Sequence, residues 1–253
     1  MILMVPLMIE TFAKKLEDVK DLPEKVVKEA VFGSQFHTIC SGGAYLNPDY
    51  IELFERFGIQ ILQGYGMTEC SPVISTNVAW NVKKNSVGQL LPNCEAKTVD
   101  GELWVRGSSV MQGYYKMPEE TKTALKDGWL CTGDLGYVDE DRFIYLTGRK
   151  KNLIITKNGE NVSPEELENK LSSSRLVQEV LVREAKGVIE AEIYPDEEYA
   201  KKQGLEREEE VRVELQKLID EYNQGAPAYK KIYSLIIREK EFEKTASRKI
   251  KRY

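Results

Sequence analysis

The sequence has a single histidine, His37, and only four cysteines, Cys40, Cys70, Cys94 and Cys131, far apart and with no Cys-x-x-Cys pair. That spacing argues against a zinc site and fits thiols kept reduced in a cytosol. An excess of positive charge is lacking too. Lys+Arg 36 against Asp+Glu 41 leaves a net charge of −5, and nothing in that balance asks for a nucleic-acid partner. No apolar run is long enough to serve as a transmembrane segment. The opening Met1-Ile2-Leu3-Met4-Val5-Pro6-Leu7-Met8-Ile9 is about half the length required and carries neither a basic leader nor a small-residue cleavage site; it reads as a buried strand entering a helix. Internal repeats and low-complexity tracts are absent. What is present, 253 residues with 42% hydrophobic and 30% charged side chains, is the composition of a soluble globular protein with room for one large domain or two smaller ones.

Candidate chemistry gathers in Gln63-Gly64-Tyr65-Gly66-Met67-Thr68-Glu69-Cys70-Ser71. The run Ile59-Gln60-Ile61-Leu62 just before it reads as a buried strand, ending in a tight loop where the glycines begin. In that loop a ring, a hydroxyl and a carboxylate are set among glycines, which let a backbone come close to a ligand. Tyr65 can stack on a base, worth roughly 1–3 kcal/mol. Thr68 can donate to a phosphate oxygen, and Glu69 can hold Mg2+, a hard cation that prefers oxygen ligands. Taken alone, the stretch reads equally well as a glycine-rich turn with an incidental acid.

A second small-residue loop, Ser41-Gly42-Gly43-Ala44, follows the strand-like Phe36-His37-Thr38-Ile39-Cys40, in which His37 is expected as a packed core residue. Asn47 caps a helix with Pro48 in its first turn; Tyr50, Ile51, Phe54 and Phe57 recur at helical spacing, and Gly58 ends it. Strand, glycine loop, helix, strand, glycine loop makes two parallel and adjacent strands. Both loops then emerge at the carboxyl end of one sheet, where open α/β folds hold their ligands.

Residues 10–32 read as exposed helices broken at Pro23. From Ser86 to Gly148 short alternating runs meet turn signals: Asp100-Gly101 is a hairpin turn, Pro118 to Lys126 a short helix, and Gly136 to Leu146 a second hairpin turning at Asp139-Glu140-Asp141. Arg149, Lys150, Lys151 and Lys157 then mark either a hinge or a solvated linker. Ser163-Pro164-Glu165-Glu166 is a capping box in front of a helix. Two strands over Val177 to Ile193, a charged amphipathic helix from Glu206 to Tyr222, a strand from Ile232 to Ile237 and a basic end complete the chain.

Read together, these stretches resemble the adenylate-forming (acyl-activating, AMP-binding) superfamily, in its fatty-acyl-CoA synthetase branch. The resemblance rests on Ser41-Gly42-Gly43-Ala44, Gln63 to Glu69, Gly101 to Gly107, Asp127-Gly128-Trp129-Leu130-Cys131-Thr132-Gly133-Asp134, Gly148 to Asn152, Gly159 to Glu166 and Lys244 to Arg252, in that order. It implies an α/β fold: the remainder of a parallel sheet domain over residues 1–85, a β-barrel-like subdomain over 86–150, and a small mobile α+β domain over 151–253. It also implies a two-step reaction, in which a carboxylate attacks the α-phosphate of Mg·ATP to give an acyl-adenylate and the thiol of CoA then displaces AMP.

By the same resemblance Gly43 and Ala44 lie beside the adenine, and Tyr65 stacks on it. Gln63, Gly64 and Gly66 complete that nucleotide-binding stretch. Thr68 contacts the α-phosphate and Glu69 the metal. Asp134 accepts hydrogen bonds from the ribose hydroxyls, and Arg149 adds another; without the family context Asp134 is a turn residue between hairpins. Lys151 is the hinge, and Gly159 lines the passage for CoA. Lys249 is the mobile catalytic lysine, although composition alone makes it one basic residue of a solvated tail. Trp129 is expected to pack.

The family's Ser/Thr/Gly-rich phosphate-binding loop ending in Lys-Gly has no counterpart in this sequence. The expectation is a carboxyl-terminal portion of the family that binds AMP more readily than it activates an acid with ATP. Expected partners are a carboxylic, fatty-type acid, ATP and CoA, with a homo-oligomer possible and a cytoplasmic setting. The competing expectations are an acyl-acyl carrier protein synthetase and a non-catalytic nucleotide-binding fragment.

Overall fold

A computed structural model describes residues 1–19, 21–245 and 249–252. They form two compact units, Met1–Leu146 and Thr147–Tyr253.

The first unit begins with β1 (Ile2–Met4), α1 (Pro6–Glu17), α2 (Glu24–Val31), β2 (Thr38–Ser41), α3 (Pro48–Arg56) and β3 (Gln60–Gly66). β1, β2 and β3 are parallel neighbours, with Ile39 beside Ile61 and Ser41 beside Gln63. The crossover through α3 therefore has the topology expected of it, and its cap is as expected: Asn47 Oδ1 accepts the Asp49 amide. Gly58 turns the chain with φ +66. Ile9, Leu16, Ile39, Phe54, Phe57 and Ile59 form a buried core between helices and sheet.

Two local expectations fail here. The opening strand exists but is buried only at Met4: Leu3 is 81% exposed on a strand at the edge of the sheet, paired with β2 among the described residues. His37 is exposed and lies outside β2, with Nδ1 3.3 Å from the Lys28 ammonium, because the first residue of the strand is Thr38.

β4 (Val73–Thr76) and β5 (Gln89–Leu90) extend the same sheet in antiparallel fashion, so it is mixed, ordered β1-β2-β3-β4-β5. A second five-stranded sheet joins β6 (Cys94–Val99), β7 (Glu102–Gly107), β8 (Leu125–Lys126), β9 (Trp129–Val138) and β10 (Ile144–Arg149), with α4 (Pro118–Ala124) leading into β8. Asp100 and Gly101, at φ 49 and φ 79, make the expected two-residue turn between β6 and β7. The sheets are stitched where the Ile144 amide donates to the Gly88 carbonyl and the Val87 amide to that of Ile144.

The second unit holds the pair β11 (Ile154–Ile155) and β12 (Asn161–Val162), then α5 (Pro164–Leu171), β13 (Val177–Ala185), β14 (Val188–Pro195), α6 (Glu197–Lys202), α7 (Glu208–Gly225) and β15 (Ile232–Ile237). β14 is central, antiparallel to β13 and parallel to β15. Leu167, Leu171, Ile193, Leu215 and Ile219 close its core. α5 starts where expected, but the capping box is not formed. Ser163 Oγ donates to Glu165 Oε2 instead, and Glu166 pairs with Lys230.

Candidate active site

In the first unit the two glycine stretches meet. Ser41 and Gln63 are register partners at the carboxyl ends of parallel strands, and a Cβ on Gly42 would lie 2.9 Å from the Gly64 carbonyl oxygen. The buried Ser41 hydroxyl has no hydrogen-bond partner among the described residues. Gly43 follows with φ +90 and open space where a side chain would stand, and Ala44 is exposed.

Gln63 to Gly66 do not form the tight loop that their glycines predict. They stay in β3, because β4 returns alongside and pairs Gly64 with Thr76 and Tyr65 with Ser75. Gly66 is required by that return: a Cβ there would meet the Pro72 carbonyl oxygen at 1.9 Å. Its reason in this fold is thus the hairpin itself. Gln63 is half-buried, with its carbonyl accepting the Asn77 amide at 2.8 Å. Thr68 and Glu69 lie on a single 3-10 turn, Thr68–Cys70, with Thr68 exposed and Glu69 half-buried.

Asp134 is a strand residue. Between the paired positions Trp104–Cys131 and Glu102–Leu135, the one residue Leu103 faces the three residues Thr132, Gly133 and Asp134. Such an irregularity re-aims a side chain. Gly133 adopts φ +71 in it and donates its amide to the buried Glu102 carboxylate at 2.9 Å. Thr132 Oγ1 donates to the Leu103 carbonyl at 2.7 Å and accepts the Asp134 amide at 3.1 Å.

The bulge brings Asp134 to Tyr65. The phenol donates to Asp134 Oδ2 at 2.5 Å, with Tyr65 8% and Asp134 4% exposed. Residues 69 positions apart in sequence, each picked out by its motif, thus share one buried hydrogen bond. Below them Cys70, Ile74, Cys94, Leu103, Val105 and Leu130 form the apolar floor. Burial, then the neighbouring Cys94 and Glu69, push the Cys70 thiol up to about 11.

Sequence reasoning missed Tyr114, Glu102 and Thr132. Tyr114 donates to Glu69 Oε1 at 2.9 Å, and that bond, followed by burial, raises its phenol above the ordinary value. The Met111 amide also donates to the Glu69 carbonyl at 2.8 Å. The tyrosine pair directly after Gly113 was the available signal for Tyr114.

The remaining predicted residues lie in the second unit. Arg149 ends β10 half-buried. Lys151 is exposed on the 3-10 turn Lys150–Asn152, and Gly159 has φ +81 with open space around its Cα. Lys249 is exposed, and Ala246, Ser247 and Arg248 of its motif lie outside the described residues. Among the described residues no three His, Cys, Asp or Glu side chains group as a metal site, and no helix is long and apolar enough to cross a membrane.

The family model for AMP-binding enzymes matches residues 1–115, and that for the AMP-binding enzyme C-terminal domain matches residues 151–253. A long-chain-fatty-acid–CoA ligase of Mycobacterium bovis is 40% identical over 171 residues, 67% of this chain and 28% of the relative. The o-succinylbenzoate-CoA synthetase of Bacillus subtilis, solved with its acyl-adenylate intermediate, is 27% identical with a TM-score of 0.76 over 98% of this chain and 49% of that one. The same enzyme solved with ATP and magnesium gives 26% and 0.74 over the same shares. The chain thus spans about half the length of these solved relatives. With both family models matched in order, the chain belongs to the AMP-binding, adenylate-forming enzymes.

Proposed function

We propose that this chain supplies the nucleotide site of an acid–thiol ligase that makes acyl-CoA through an acyl-adenylate. The observation that carries the reading is the buried hydrogen bond from Tyr65 to Asp134. In the first step an oxygen of the acid bonds to the α-phosphorus of ATP as the bond to pyrophosphate breaks. In the second the sulfur of CoA bonds to the acyl carbon and AMP leaves. The fatty-acid class is favoured by the Mycobacterium bovis relative. A cytoplasmic setting is favoured by four free cysteines.

In this reading Gly43 and Ala44 leave room beside the adenine, and Tyr65, its ring fixed by the bond to Asp134, stacks on it. Asp134 is acceptor-only and suits the two donors of a ribose diol; Arg149 adds a donor to the ribose. Gln63, Gly64 and Gly66 complete the nucleotide-binding stretch on β3, and Thr68 donates to the α-phosphate. Glu69 is a single carboxylate, which fits a Mg2+ that otherwise rides on phosphates and water. Bound there, the ion would neutralise phosphate charge. Lys249 supplies a cation where negative charge builds up in the transition state. Gly159 leaves a path for the thiol arm of CoA, and Lys151 is the hinge between the half-reactions.

Isothermal titration of the chain with AMP tests the nucleotide site. Asp134→Asn replaces one acceptor face with a donor and should weaken binding on the order of 10- to 100-fold, about 1.4–2.8 kcal/mol. Equal affinities for the two chains would overturn the assignment.

A further inference from the structure

Lys249 lies on one side of a very short antiparallel pairing. The Thr245 amide donates to the Lys249 carbonyl at 2.8 Å, the Lys249 amide to Thr245 Oγ1 at 3.2 Å, and the Lys251 amide to the Glu243 carbonyl at 2.8 Å. Lys244 and Ile250 form an isolated bridge. An isolated two-stranded pairing of this length is marginal in water. Where it sits must therefore be decided by how its arms are tied down.

Both arms end on carboxylates that the second unit has largely taken out of water. On the incoming arm Lys244 pairs with Glu179 of β13, whose side chain is 10% exposed, and with Glu241 at 2.6 Å. On the outgoing arm Arg252 grips Glu168 of α5 with two parallel bonds, Nη1 to Oε1 at 2.9 Å and Nη2 to Oε2 at 2.5 Å. It also approaches Glu165 at 3.4 Å. The anchors are themselves fixed. Glu168 Oε1 accepts the Val182 amide at 2.8 Å, while Glu165 accepts from Ser163 Oγ at 2.9 Å and Asn152 Nδ2 at 2.5 Å. A guanidinium in a two-pronged pair is fixed in direction as well as distance, which a lone ammonium is not.

We propose that the Arg252–Glu168 and Lys244–Glu179 pairs are positioning devices, holding the paired segments 243–245 and 249–251 that carry Lys249. The inference rests on the reading of Lys249 given above. A cation misplaced by about 1 Å can lose on the order of 100-fold in rate, so holding both paired segments has a direct catalytic consequence.

Amide hydrogen exchange on the chain reads the positioning separately from the chemistry. In Arg252→Gln the amides of Thr245, Lys249 and Lys251 should exchange at least about 10-fold faster, while those of β14 and α7 stay protected; Lys244→Gln should do the same from the other arm. Arg252→Lys, which keeps the charge and loses the fork, should fall between. Glu168→Gln is the riskier variant because the carboxylate is buried; if β14 amides also speed up, the Arg252 variants decide. Unchanged exchange at the three amides in both Arg252→Gln and Lys244→Gln overturns the inference. Pyrophosphate release reads the chemistry, with Arg252→Gln expected to be about 10-fold slower at unchanged AMP affinity. A slow Lys249→Ala beside a normal Arg252→Gln also overturns the positioning role. A normal Lys249→Ala instead removes the role of Lys249 itself, whatever the exchange shows.

Discussion

A phenol and a carboxylate at 2.5 Å, both shielded from water, hold each other more firmly than the same pair would on a surface. Tyr65→Phe removes one donor from a buried acceptor and little else. It should therefore destabilise the first unit by about 1–3 kcal/mol in urea denaturation, more than loss of an exposed hydrogen bond would. The thiol beside this pair makes the opposite case. Cys70 is completely buried, and its pKa near 11 leaves almost no thiolate at pH 8. A thiol reagent at that pH should label the half-buried Cys40 and Cys131 and leave Cys70 unmodified in the native protein. Labelling of Cys70 at the rate of the other two would show that the floor of the site opens.

At the scale of elements, what the sequence made legible was whatever its local chemistry decided. Asp100-Gly101 could only turn, Asn47-Pro48 could only open a helix, and Ile232 to Ile237 is a strand with the bounds its pattern implies. Gln63 to Gly66 were misread because glycine signals a loop, while the partner that keeps them extended, β4, is supplied by tertiary pairing. Asp134 could be picked by motif, but nothing local revealed that three residues of β9 face one residue of β7 and so aim it at Tyr65. Ser163 carries the cap signature, yet Glu165 takes its hydroxyl. Gly66→Ala tests the return directly. A methyl group 1.9 Å from the Pro72 oxygen must push β3 and β4 apart, at a cost of about 3 kcal/mol in unfolding free energy.

The clamp under α5 gives an element-scale dependence on pH. Burial raises the Glu168 carboxyl above its ordinary value, with Arg252 pulling the other way. A carboxyl whose folded pKa is raised contributes stability that is whole below its unfolded pKa, about 4.3, and is lost as pH rises through the folded value. Removing the guanidinium leaves burial less opposed and lifts that folded value further. Urea denaturation of Arg252→Gln across pH 4 to 7 should therefore show this loss displaced to higher pH than in the parent chain. Superimposable pH profiles would mean that Arg252 does not govern the Glu168 charge.

At the scale of the molecule, each cluster of buried apolar residues among the described residues draws on one unit. Phe54, Phe57 and Leu16 belong to the first, and Leu215, Ile193 and Leu167 to the second. The proposed hinge at Lys151 requires this, since units sharing one core could not pivot without breaking it. The expectation is that each unit carries its own stability, in which case a single unfolding free energy does not describe the chain. Leu215→Ala removes a fully buried side chain from α7 and should cost about 2–5 kcal/mol; Phe54→Ala should cost about 3–5 kcal/mol in the other core. Calorimetry should resolve these as two transitions, with Leu215→Ala lowering one and Phe54→Ala the other. If either substitution lowers both by the same interval, the units unfold as one cooperative block, and a pivot at Lys151 has no independent bodies to move.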